Sequence, residues 1–221
     1  MNHPGIRIDK PIKFIGDENN PANVVVEMSG SVQWSAKCGW IEGITFRRPK
    51  IARSGILPPF PMIEVMEYGK LDMICSVFDN DGSAGPVAIL IKPGNKGIWR
   101  KILFRNGGSS GIEIEGEAVS VQLIECTVKG CKGDGLKVSK KAKFELINCS
   151  IESNQGCGVR LKSEGCQAKL YGSFFKDNIG GIIKKEPHCF VTSSSNTAFV
   201  RYTPEKQIPG FKMIVQDQKA S

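Results

Sequence analysis

Apolar and polar residues alternate along most of this chain, and the alternation itself repeats. Val121–Cys131 reads VQLIECTVKGC, Phe144–Asn154 reads FELINCSIESN, and Ala168–Asn178 reads AKLYGSFFKDN, with starts 23 and 24 residues apart. A period of two inside each block predicts strands. A period in the low twenties between blocks predicts a solenoid in which each repeat is one coil. Phe144, Leu146, Cys149 and Ile151 are predicted to point inward, and Glu145, Ser150 and Glu152 outward. The alternation slips at Ile147-Asn148, where a bend between two strands is expected.

Stacked coils place like residues above like. Leu123, Leu146 and Leu170 form one predicted column, Cys126, Cys149 and Ser173 a second, and Val128, Ile151 and Phe175 a third. Gly135, Gly158 and Gly181 form a fourth, read as tight turns needing positive φ. The L-x-x-L-x-L-x-x-N frame of leucine-rich repeats is missing, and no helical stripe of useful length occurs. The fold class is therefore all-β: a single-stranded right-handed parallel β-helix of roughly seven coils over residues 1–203. Residues 204–221 lose the pattern and are expected to be a cap or flexible tail.

Read in order, Ile6–Ile15 and Val24–Met28 make the first coil around the turn cluster Gly16–Pro21, and Gly43 marks a bend in CGWIEGITF. Arg47–Pro61 interrupts the period with Arg47, Arg48, Lys50 and Arg53 and the run Leu57-Pro58-Pro59-Phe60-Pro61, so it is expected to leave the solenoid as a loop. Leu71–Asn80 matches the later blocks when one residue is dropped, which sets Cys75 beside Cys126 and Cys149 at an inward bend.

Length changes this picture little: 221 residues predict one domain. No apolar run reaches the roughly 18 residues of a membrane span, and Met1–Gly5 has no signal-like apolar core. The strand pattern starts almost at once, as in a piece of a longer protein. The eight cysteines lack a C-x-x-C pair, so zinc is not expected. Read as core residues and free thiols, they point to a reducing compartment, cytoplasm or nucleus.

Catalysis on such a scaffold needs paired carboxylates on neighbouring coils. Glu113 is followed one period on by Lys137, Arg160 and Ile183, and Glu115 by Ser139, Lys162 and Lys185, so no such pair is found in the regular region. His3 and His188 lie at the ends. Asp79-Asn80-Asp81-Gly82 reads as a turn, because an EF-hand frame would put Val77 at the first ligand position. No enzyme activity, metal or cofactor is expected.

Charge is more informative. The chain carries a formal +8, and residues 129–185 hold twelve Lys/Arg against five acids, a local +7. Outward positions stack at about 4.8 Å. Lys137, Arg160, Lys162, Lys184 and Lys185 therefore make a candidate basic face, with Lys162 placed over Lys185. Reversal of Arg160 and Lys162 to Glu is expected to spare the fold. Arg47, Arg48, Pro58 and Phe60 of the loop complete the candidate partner-binding set. The expected partner is an acidic protein segment. A carbohydrate-binding or lyase-like β-helix is the alternative. Nucleic acid is not expected, because Phe144, Tyr171, Phe174 and Phe175 are the only aromatics in the basic region.

The coils containing N-C-S-I-E-S-N and N-Q-G-C-G-V, with the opening I-D-K-P-I-K-F-I-G-D and G-W-I-E-G-I-T-F, resemble the intracellular eukaryotic β-helix repeats of F-box proteins and of the Shc-binding/Nessun Dorma spindle family. The resemblance spans most of residues 6–192. It implies a recognition or scaffolding part, with glycan binding sometimes attributed to it, and no catalytic motif to carry over.

Overall fold

A computed structural model describes residues 5–49, 60–81, 84–91, 96–117 and 119–200. Three parallel sheets of eight strands each run the length of the solenoid, and every third strand in sequence joins the same sheet. Sheet A runs from strand Gly5–Ile8 to strand Ile183–Lys185, sheet B from Lys13–Ile15 to Phe190–Ser193, and sheet C from Val25–Glu27 to Ala198–Val200. Seven coil-to-coil steps thus separate the first and last strands of each sheet. The proposed tail at 204–221 lies outside the described residues.

The predicted phase is the observed one. Phe144, Leu146, Cys149 and Ile151 are buried, and Glu145, Ser150 and Glu152 lie outward and half-buried. Leu123 pairs with Leu146 and Leu146 with Leu170, while Val128, Ile151 and Phe175 stack in sheet C. The same sheet C column continues back through Phe104, Phe78 and Phe46. There the rings stack at 4.9 Å (Phe46–Phe78) and 5.5 Å (Phe78–Phe104). In-register side chains fill the narrow interior, so burial needs no second layer.

One left-handed residue turns the chain from sheet B into sheet C on coil after coil: Gly43, Cys75, Lys101, Glu125, Asn148 and Gly172 have φ between 47° and 64°. This is the expected slip at Asn148, and it corrects the reading of Cys75. Met73 pairs with Trp99 and Trp99 with Leu123, so Leu71–Asn80 aligns with the later coils without dropping a residue. Cys75 is then the turn residue, half-buried, and Ser76 takes the inward place at 1% exposure. Ser76 Oγ accepts from Ile44 N at 3.3 Å and donates to Ile74 O at 2.9 Å, which keeps the buried hydroxyl satisfied.

The glycine column is shifted by one residue at its end. Gly111 N donates to Asp134 O, Gly135 N to Cys157 O and Gly158 N to Gly181 O, which stacks Gly111 on Gly135, Gly135 on Gly158, and Gly158 on Ile182. Gly135 and Gly158 do not have positive φ; among these three only Gly181 does, at 101°. Their requirement is space. A Cβ on Gly135 would lie 2.6 Å from Ile151 Cγ2, and one on Gly158 would lie 2.8 Å from Ile182 O and 2.9 Å from Phe175 Cδ1.

Candidate functional site: the charged faces of the solenoid

Sheet A carries the basic column, because its strands alternate in and out. Val159 and Leu161 are buried and Arg160 points outward; Leu136 and Val138 are buried and Lys137 points outward. Register sets Glu113 against Lys137, Lys137 against Arg160, and Arg160 against Lys184. The candidate residues Lys137, Arg160 and Lys184 are therefore brought together in one column. Lys162 extends the strand on the same face, exposed.

Lys185 does not join them. Val138 pairs with Leu161 and Leu161 with Lys185, so Lys185 occupies an inward column at the end of the solenoid. Its Nζ donates to Cys189 O at 3.3 Å. The expected Lys162–Lys185 stack fails because this coil is one residue longer than the one before it: Leu136 pairs with Val159, but Val159 pairs with Ile183.

The column is also less bare than its sequence implies. Lys137 Nζ donates to both Glu113 oxygens at 3.0 Å, and Arg160 Nε donates to Asp134 Oδ2 at 2.6 Å. Both pairs are partly buried; Asp134 is 9% and Arg160 31% exposed at the side chain. That hydrogen bond to Asp134 is the main cause raising the Arg160 guanidinium pKa further above its ordinary value. The same rule runs elsewhere, with an acid one coil before its base: Glu115–Lys140, Glu117–Lys141 and Glu145–Lys169. Sequence reasoning missed Glu113 and Asp134 as partners of the basic face. The signal was present as an acid 24 or 26 residues before each base, but acids were sought only in pairs. Among the described residues, Lys162 and Lys184 have no carboxylate within ion-pair distance, and both are exposed. Uncompensated positive charge on this face is thus concentrated at its last coils.

The second candidate group divides. Arg47 points outward and pairs with Glu27 at 2.8 Å. Arg48, one residue on, is 1% exposed. Its Nη1 donates to Met28 O and Gly30 O at 3.1 and 2.6 Å, its Nη2 to Phe60 O and Pro61 O at 3.0 and 3.1 Å, and its Nε to Asn80 Oδ1 at 3.4 Å. Five donors meet neutral acceptors, and burial lowers the guanidinium pKa. Arg48 is therefore a clamp across the two ends of the insertion and no surface contact, which corrects its place in the candidate set. Phe60 is half-buried and supplies one of the clamped carbonyls. Pro58 lies outside the described residues.

A separate open cavity of about 330 Å³ lies beside the turns that lead from sheet C back to sheet A, lined by Asp81, Asn106, Gly107, Gly130, Lys132 and Gln155. Asn106 Nδ2 is held by Asp79 Oδ1 at 2.8 Å, and Arg105 Nε holds the other Asp79 oxygen at 2.7 Å.

Comparison with known families finds one match: the family described as "Right handed beta helix region" covers residues 70–202. No curated protein and no solved structure matches the chain.

Proposed function

Since the chain belongs to the right-handed beta helix family, we propose that it is a non-enzymatic recognition or scaffold module of a larger intracellular protein, and that it binds an acidic protein segment through the outward face of sheet A at its last coils. The carrying observation is the column Lys137–Arg160–Lys184, in which Glu113 and Asp134 answer the first two cations and no carboxylate answers the third among the described residues. A fixed row of cations steers acidic partners and acts mainly on association. The non-enzymatic reading is supported by four carboxylates that are already engaged. Glu113, Asp134 and Glu145 are each tied to a base, and Glu64 accepts from Gln33 at 3.2 Å. Cytoplasm or nucleus is supported by eight free thiols. The finer kinship with F-box or spindle β-helix repeats rests on the motifs quoted above.

The test is titration of a fluorescent glutamate-rich peptide against wild type and the Lys162→Glu/Lys184→Glu variant across a salt series. The double reversal is expected to weaken binding by about tenfold or more and to flatten its salt dependence. Equal binding by both proteins would remove the basic face from consideration. A glycan-binding reading is favoured by one observation, the open cavity lined by Asp81, Asn106, Lys132 and Gln155 together with Gly107 and Gly130. Saccharide binding abolished by Gln155→Ala and untouched by the lysine reversals would support it instead.

A further inference from the structure

Among the described residues, the last strand of sheet A, Ile183–Lys185, has no strand on its outer side. In the inward column that leads to it, every residue donates its amide forward to the next coil: Ile112 N to Gly135 O, Leu136 N to Gly158 O and Val159 N to Ile182 O, each at 2.9 Å. Ile183 is the next member of that column. Its N–H is therefore aimed where a ninth strand would lie, and no described strand pairs there. Parallel pairing uses alternate residues for the two neighbours. Glu186 N donates back to Leu161 O at 3.0 Å, so the amides and carbonyls of Ile183 and Lys185 face the open side. Lys184 stands between them, pointing outward, stacked on Arg160. Like charges directly opposite destabilise a sheet, and an acid on the open side of Lys184 would relieve that.

We propose that this edge takes an extended acidic segment of a partner protein as an added parallel strand of sheet A, with an apolar side chain over Ile183 and a carboxylate over Lys184. The reading deepens the function proposed above and rests on it. Main-chain hydrogen bonds supply the affinity in such strand addition, and alternate side chains supply the selection. Charge chooses between the occupants. A second copy stacking its first strand here in the same register would set Arg7 over Lys184, which repels. The chain's own residues 201–221 carry Arg201, Lys206, Lys212 and Lys219 against Glu205 and Asp217, and are not complementary to a cationic edge. An acidic strand repeats what the fold already does at Glu113–Lys137 and Glu145–Lys169, where a carboxylate and an ammonium face each other across neighbouring strands.

The experiment uses the full chain, amide hydrogen exchange and two synthetic peptides of equal charge. One alternates valine and glutamate; the other has the same acids with prolines that remove its backbone donors. The alternating peptide is expected to slow exchange at Ile183 and Lys185 by about tenfold or more. Lys184→Glu and the proline peptide are each expected to weaken binding by about tenfold or more. If both peptides bind alike and Lys184→Glu weakens both, strand addition is overturned while the basic-face reading stands. If neither peptide binds, both readings fall. Slow exchange at Ile183 and Lys185 without peptide would mean that the chain itself or a second copy already covers the edge, and would overturn the proposal.

Discussion

Arg160 reaches back over one coil to Asp134, with Nε 2.6 Å from Oδ2, while the other Asp134 oxygen accepts from Cys157 N at 2.8 Å. The arginine that looks most available in sequence is thus part of the turn that carries the chain into its own strand. Arg160→Glu would set a second carboxylate against one that is already largely buried. We expect a loss of about 2 kcal/mol or more, discounted from fully buried pairs because Arg160 is partly solvated. Lys162→Glu is expected to change stability by less than about 0.5 kcal/mol. Denaturant unfolding of the two single variants separates them, and comparable losses would contradict this assignment. The expectation that reversing Arg160 spares the fold is withdrawn for the same reason.

The inward phase has its own test. Leu146 is fully buried between Leu123 and Leu170. Leu146→Asp places an unpaired carboxylate there and is expected to cost about 4 kcal/mol or more. Glu145→Ala removes an outward group and is expected to cost less than about 1 kcal/mol. Thermal melts compare them; a one-residue slip of register would exchange the two results.

Arg47 and Arg48 are neighbours with opposite fates. Arg48→Met leaves the buried carbonyls of Met28 and Pro61, and the part-buried one of Gly30, without their donor. The expected loss is about 3 kcal/mol, with faster proteolysis in the 49–61 insertion. Arg47→Ala breaks an exposed pair and is expected to cost less than about 1 kcal/mol. Limited proteolysis alongside unfolding curves reads both effects.

Acid sensitivity is expected at Glu145. A hydrogen bond from Gln122 Nε2 at 2.7 Å, then one from Lys169, holds its carboxyl below the ordinary range. A depressed folded pKa means that this contribution is complete above the unfolded carboxylate value, about 4.3. It is lost as pH falls through the folded value. Glu145→Gln should therefore narrow the stability difference between pH 7 and pH 3. An unchanged difference would show that the Gln122–Glu145–Lys169 ladder contributes nothing.

Thiol reactivity should follow burial. Cys38 is exposed, whereas burial pushes Cys131 up to about 11 and raises Cys157. Maleimide labelling of the native protein at pH 7 is expected to modify Cys38 first and the half-buried Cys75 next, with Cys131 reacting only on unfolding. Mass spectrometry of timed digests gives the order; early labelling of Cys131 would refute it.

The alternation around Leu146, the bend at Asn148 and the stacking of Val128, Ile151 and Phe175 were legible in the sequence. Period-two patterning and a repeating coil length are local properties, and burial enforces them. Register over the last coil was not legible, because coils of 23 and 24 residues look alike until inter-coil hydrogen bonds choose. Those bonds set Gly158 on Ile182 and place Lys185, still exposed, in register with Leu161. The sequence also counted the positive charges correctly but not their neighbours. Asp134 answers Arg160 and Glu113 answers Lys137 only because coiling brings residues 26 and 24 positions apart to within 3.0 Å. Arg48 and Arg47 are chemically alike in sequence. Only the tertiary structure surrounds one with five acceptors and leaves the other at the surface, because a guanidinium can leave water only where the folded chain supplies every one of its hydrogen bonds.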